Sequence, residues 1–113
     1  MNIHEHQAKQ ILKKFGAVVP EGVFGFTVED ILEKCKSLKT KKYVLKAQIH
    51  AGGRGKGGGV KFSSDLSIAI NNANKIFGMN LITHQTGESG QKVRKILIEE
   101  ASNISKEFYC AIT

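Results

Sequence analysis

The chain has no tryptophan, only two cysteines, and no acidic residue anywhere between Lys34 and Ser64. No run approaches the ~20 apolar residues that span a bilayer, so no membrane partner is expected. Cys35 and Cys110 are far apart and form no CxxC, which points to a reduced, intracellular chain rather than a disulfide framework. Met1 to Gly16 is charged and lacks an apolar core segment, so it does not read as a signal peptide. The four histidines, His4, His6, His50 and His84, show no metal-ligand spacing, and helical geometry puts His4 and His6 on different faces. No Ser/His/Asp or Cys/His set follows from spacing either, and His50 is not expected to act as a catalytic base.

Positive charge is plentiful, and it is local. Seventeen basic against ten acidic residues give +7. Nine of the cations fall between Lys34 and Ser64, and the rest of the chain holds eight basic and ten acidic residues. A field concentrated in one stretch suits an anionic ligand. A basic nucleic-acid-binding domain is the competing use of such charge. It is disfavoured because Lys46 to Lys61 has no aromatic side chains on which bases could stack.

The charged stretch centres on KAQIHAGGRGKGGGVK, Lys46 to Lys61. Six of the twelve glycines lie between Gly52 and Gly59, with Arg54 and Lys56 among them. Free N–H groups in such a loop make a concave anion site, and the cations favour phosphate. Gly53 to Gly58 fits G-x-G-x-x-G, but Val60-Lys61-Phe62 reads as a strand where a dinucleotide fold needs a helix. No acid follows at the ribose distance, and no Ser or Thr follows Lys56 as a P-loop requires. Strand, glycine loop and strand remain, the layout of a flap over nucleotide phosphates. A slack surface hairpin is the plainer reading, weakened by the interleaved cations.

Around this centre the spacing predicts a helix from Asn2, with Asn2 as cap, Glu5 at the capping-box position, and Ala8, Ile11, Leu12 and Phe15 at helical intervals up to Gly16. A short strand over Val23 to Phe26 follows. Thr27 caps a second helix that buries Ile31, Leu32, Cys35 and Leu38. Tyr43 to Ile49 is a strand with Leu45, Ala47 and Ile49 on one face and Val44, Lys46, Gln48 and His50 on the other. A third helix starts at Ser63 or Ser64 and runs to Gly78. Further strands are expected over Leu81 to Gln85, Val93 to Ile98 and Glu107 to Thr113. Glu99 and Glu100 end an apolar strand, either as solvated acids or as a hinge acid facing a base or ribose. A 41% hydrophobic fraction suffices for one modest core.

Three segments, MNIHEHQAKQILKKFG, VLKAQIHAGGRGKGGGVK and ILIEEASNISKEFY, together with their register, resemble the β subunits of succinate–CoA ligases. The resemblance implies an α+β, ATP-grasp fold with a mixed or antiparallel sheet, flanking helices and a glycine-rich strand-loop-strand flap. Residues 1–113 would be its N-terminal part, a fragment of a longer chain. It implies the reversible reaction of succinate, CoA and ATP or GTP to succinyl-CoA, ADP or GDP and phosphate, ADP-forming by preference. A phosphohistidine on a partner α subunit, in an αβ or α2β2 assembly, would carry the phosphoryl group. By the same resemblance Lys46 and Gly53, Arg54 and Gly55 contact nucleotide phosphates, and Glu99, Ser102 and Glu107 lie at hinge and ribose positions. No catalytic residue falls in this chain, and the Mg2+ ligands are expected beyond Thr113. Neither nucleic acid nor membrane enters as a partner. The expected location is bacterial cytoplasm or mitochondrial matrix. A malate–CoA ligase β subunit is the near alternative.

Overall fold

The computed structural model describes residues 2–113. Three helices, α1 (Glu5–Lys14), α2 (Val28–Cys35) and α3 (Leu66–Ile76), alternate with six strands. These are β1 (Gly22–Gly25), β2 (Tyr43–Ala47), β3 (Val60–Ser63), β4 (Asn80–Leu81), β5 (Gln91–Lys92) and β6 (Ile96–Glu100). Four of the strands form one antiparallel sheet in the order β1-β6-β2-β3, and β4 pairs with β5 separately. The arrangement is α+β, as expected.

Alternation along β2 and β6 splits the sheet into two unlike faces. Leu45 pairs with Ile98 and Ala47 with Ile96, all four nearly inaccessible. α2 and α3 cover that side. Thr27 caps α2 by accepting from the Asp30 N–H at 3.1 Å, and Ile31 and Cys35 point inward. The cap of α3 is Asp65, one residue after the serines expected, accepting from the Ile68 N–H at 2.9 Å. Its Ala69, Ala73 and Ile76 close the core with Leu81 and Val93. Gly78 ends the run with φ 76°, a conformation in which a side chain would be strained.

Four expectations are corrected. α1 is capped by His4, not Asn2, and Gln7 rather than Glu5 accepts from the cap N–H, at 2.8 Å. The expected strand over Leu81 to Gln85 shrinks to Asn80–Leu81, because Thr83 and Thr86 bond to each other and turn the chain. Glu107 to Thr113 forms no strand; it is exposed throughout and lies along no sheet edge. The last sheet strand also begins later than its apolar run suggested, at Ile96.

The glycine segment is more compact than an open flap. Its flanking strands pair as expected, β2 with β3. Between them the chain winds on itself: Gly57 N–H donates to the Gly53 carbonyl, Gly58 to Gly55, and Gly59 to Arg54. A Cβ at Gly57 would meet the Ile82 carbonyl at 2.7 Å, and one at Gly59 would meet Leu81 at 2.5 Å. These two glycines are needed for close packing against β4 and Ile82 just after it.

Candidate functional site

The second face of the sheet carries Lys46 from β2 and Glu99 from β6. Gly22, which pairs with Glu99 across β1 and β6, leaves room for that carboxylate: a Cβ there would sit 2.8 Å from the Glu99 Cβ. α1 lies over this face, and it docks through polar side chains. His6 is buried, with its backbone N–H donating to Gln48 Oε1 at 3.0 Å. Glu5 and Lys9, one helical turn apart, point at the strands. The apolar spacing of α1 faces the other way, leaving Ile11, Leu12 and Phe15 exposed.

Five charged groups meet beneath α1. Lys46 Nζ donates to Glu5 Oε1 at 2.9 Å and pairs closely with Glu99. Lys9 Nζ donates to Glu99 at 2.6 and 2.8 Å and lies 3.0 Å from Glu5. Arg54 reaches back from the glycine turn, donating to Glu5 Oε2 at 2.6 Å and to the Ala47 carbonyl at 2.7 Å. Three cations and two carboxylates leave one positive charge in excess. The Glu5 carboxyl is held down to about 2: burial alone would raise it, but hydrogen bonds from Lys46 and Arg54 outweigh that. For Lys46, burial opposes the charge, yet Glu99 and then Glu5 keep the ammonium above its ordinary value.

Beside this cluster stand three imidazoles. His4 stacks on His50 with centroids 4.0 Å apart and on His6 at 5.7 Å, and His6 leans on Phe24 at 4.1 Å. The expectation that His4 and His6 diverge fails because His4 lies before the helix, in an extended conformation that swings its ring back. His4 Nδ1 is buried without a hydrogen-bond partner. Burial, then the positive neighbours His50, Lys95, His6 and Arg54, lower its pKa to about 4, so it is neutral near pH 7. Burial also lowers the pKa of His6, against the hydrogen bond that Gln48 Oε1 accepts from its ring.

The backbone at the start of the glycine turn is open. Among the described residues the N–H groups of Gly53, Arg54 and Gly55 donate to no protein acceptor, whereas those of Gly57, Gly58 and Gly59 are used within the turn. Gly53 takes φ 73°, as a close backbone approach requires, and its missing Cβ leaves space for the His84 ring. Gly55 has ordinary φ and empty space around it, so nothing within this chain demands a glycine there. An open cavity of about 400 Å³ between Glu5, His50, Arg54 and Gln85 gives onto the turn. A second, of about 240 Å³, runs along His6, Lys9, Pro20, Phe24 and Glu99.

Of the residues singled out in the sequence, Lys46, Arg54 and Glu99 are brought together through Glu5 and Lys9, while Gly53 and Gly55 flank Arg54 in the turn. Ser102 and Glu107 are not; they sit in the exposed segment after β6 and bond to none of the cluster. Glu5 and Lys9 were missed as site residues. Their i, i+4 spacing is that of any solvated helix pair, and only β2 and β6 beneath them make the difference.

The residues 2–113 match the family model described as ATP-grasp domain. The chain is 65% identical over 112 residues to the succinate–CoA ligase (ADP-forming) subunit beta of Pelagibacter ubique (strain HTCC1062), covering 96% of this chain and 28% of that protein. It is 53% identical over 111 residues to the like-named subunit of Azoarcus sp. (strain BH72), covering 98% and 29%. With that of Bacillus subtilis (strain 168) the identity is 51% over 112 residues, covering 99% and 29%. The chain thus spans less than a third of the length of the curated relatives it matches. Among the described residues, no helix is long and apolar enough to cross a membrane.

Proposed function

The chain belongs to the ATP-grasp domain family, and on that premise we propose that it is the N-terminal nucleotide-phosphate-binding part of a succinate–CoA ligase β subunit. The relatives' names favour succinate over malate and ADP over GDP as the product. One observation carries the reading: Lys46 and Arg54 converge from strand and turn on one carboxylate, and Arg54 belongs to the turn whose Gly53, Arg54 and Gly55 N–H groups donate to no protein acceptor. Backbone donors would approach the phosphates and the two side chains would balance their charge, the preorganised electrostatics that phosphoryl transfer needs. Glu99, Ser102 and Glu107 are assigned to the ribose and hinge side, and of the three Glu99 lines the cavity along Lys9 and Pro20. The bound nucleotide would supply the phosphoryl group. The residues present supply binding and orientation, and the acceptor histidine is assigned to a partner α subunit.

Mg2+ does not fit the carboxylates nearest the turn. Glu5 and Glu99 are each held by at least two cationic side chains, and no cluster of three metal-binding side chains occurs among the described residues. No metal ligand is assigned to this chain.

In the full-length ligase, Lys46→Ala should raise the dissociation constant for ADP by roughly tenfold or more, the effect of losing a charge-assisted contact. Calorimetric titration and phosphorylation of the partner by labelled ATP both read it. Unchanged affinity and unchanged phosphorylation would overturn the reading.

A further inference from the structure

Lys46 and Arg54 are the cations offered to phosphate, yet neither is free. Glu5 spends one carboxylate oxygen on each: Oε1 accepts from Lys46 at 2.9 Å and Oε2 from Arg54 at 2.6 Å. An anion held between a strand lysine and an arginine of the glycine turn presents two oxygens as a phosphate would. We propose that Glu5 is an internal phosphate surrogate, a competing counter-ion that pairs with Lys46 and Arg54 and surrenders them when nucleotide binds. This inference rests on the nucleotide-binding reading of the same site.

The geometry gives Glu5 somewhere to go. Lys9, one turn further along α1, already lies 3.0 Å from Glu5 and can retain it when the other two cations turn to phosphate. Glu5 also sits in the first turn of α1, where a carboxylate is favoured by the helix dipole. Its carboxylate therefore stays ionised and competes with the guest. An ordinary supporting residue would strengthen binding by its presence. A competing counter-ion weakens it, and the two roles predict opposite signs on removal.

The test is ADP affinity by calorimetry in the full-length ligase, at two ionic strengths. Glu5→Gln keeps the shape and removes the charge, leaving the cluster with two positive charges in excess. It should bind ADP roughly tenfold tighter, with a steeper loss of affinity as salt rises. Glu5→Ala should change affinity in the same direction, so a folding failure of one variant leaves the other to decide. Glu5→Asp restores the charge and should return to within about threefold of wild type. Adding Arg54→Met to Glu5→Gln should abolish most of the gain. Weaker or unchanged ADP binding in the charge-removing variants, with wild type binding normally, overturns the surrogate role alone. Absence of ADP binding in the wild type overturns both this inference and the reading beneath it.

Discussion

The two faces of one four-stranded sheet are built on different principles. Towards α2 and α3 the sheet is apolar, and Leu45, Ile96 and Ile98 are sealed by Ala69, Ala73 and Ile76. Towards α1 it is polar, and Lys46 and Glu99 are covered by a helix that turns Glu5, His6 and Lys9 inward and its own isoleucine, leucine and phenylalanine outward. The first face is held by area removed from water, a non-directional force. The second is held by charge pairs whose worth depends on each partner being present. A face of that kind contributes less to folding, and the proposed nucleotide site lies on it.

The largest expected effect is on the apolar face. Leu45→Ala should cost about 3 kcal/mol, since its side chain is wholly enclosed and the neighbours have little room to collapse. Urea unfolding measures it. A loss below about 1 kcal/mol would break the contrast, because buried leucines give more than that when truncated.

On the polar face, Lys46→Met should cost less, about 1–2 kcal/mol, because the buried Glu99 keeps Lys9 as its partner. The same unfolding experiment on Lys46→Met and Leu45→Ala ranks the two faces directly. If the order reverses, the ionic face is the stronger scaffold.

A smaller effect separates the faces by pH. His4 has a folded-state pKa near 4, below its ordinary 6.5, so the unfolded chain binds more protons between those values. Its neutral packing contributes fully above pH 6.5, and the contribution is lost as pH falls towards 4. Glu5, lowered from 4.5 to about 2, contributes above pH 4.5 and is lost as pH falls towards 2. Melting temperature should therefore decline from pH 7 to pH 4.5 in the wild type and decline less in His4→Gln. Identical slopes would remove the imidazole stack from the account.

The smallest effect is expected where charge is merely exposed. Lys13 and Glu21 pair at 2.6 Å, but both side chains are more than half exposed. Glu21→Ala should change stability by less than about 0.5 kcal/mol. A larger loss would mean that the rim of α1 is docked as firmly as its centre.

How far the sequence reached follows the same division. The faces of β2, the Thr27 cap, the inward side of α2 and the end of α3 at Gly78 were legible, because each depends on neighbours two to four positions away. The expected strand at Glu107 to Thr113 is absent because the segment lies along neither edge of the sheet, β1 or β3, and β-branched and aromatic residues favour a strand only where another strand pairs with them. The glycine stretch was legible as a connection between two paired strands. Its two tightly packed members, Gly57 and Gly59, were not, since Leu81 and the Ile82 carbonyl approach them from more than twenty positions away.

By itself the sequence determined the periodicities and the location of the positive field, and it singled out Lys46 and Arg54 as candidates for an anion site. Those are local properties of composition and spacing. Only the tertiary structure decided that Glu5, forty-one residues before Lys46 and forty-nine before Arg54, meets both of them. It also decided that three histidines without any ligand spacing share one stack. Charge pairing has no sequence period. Its partners are chosen by which strands lie side by side and which helix crosses them, and that is settled when the chain closes around its apolar face.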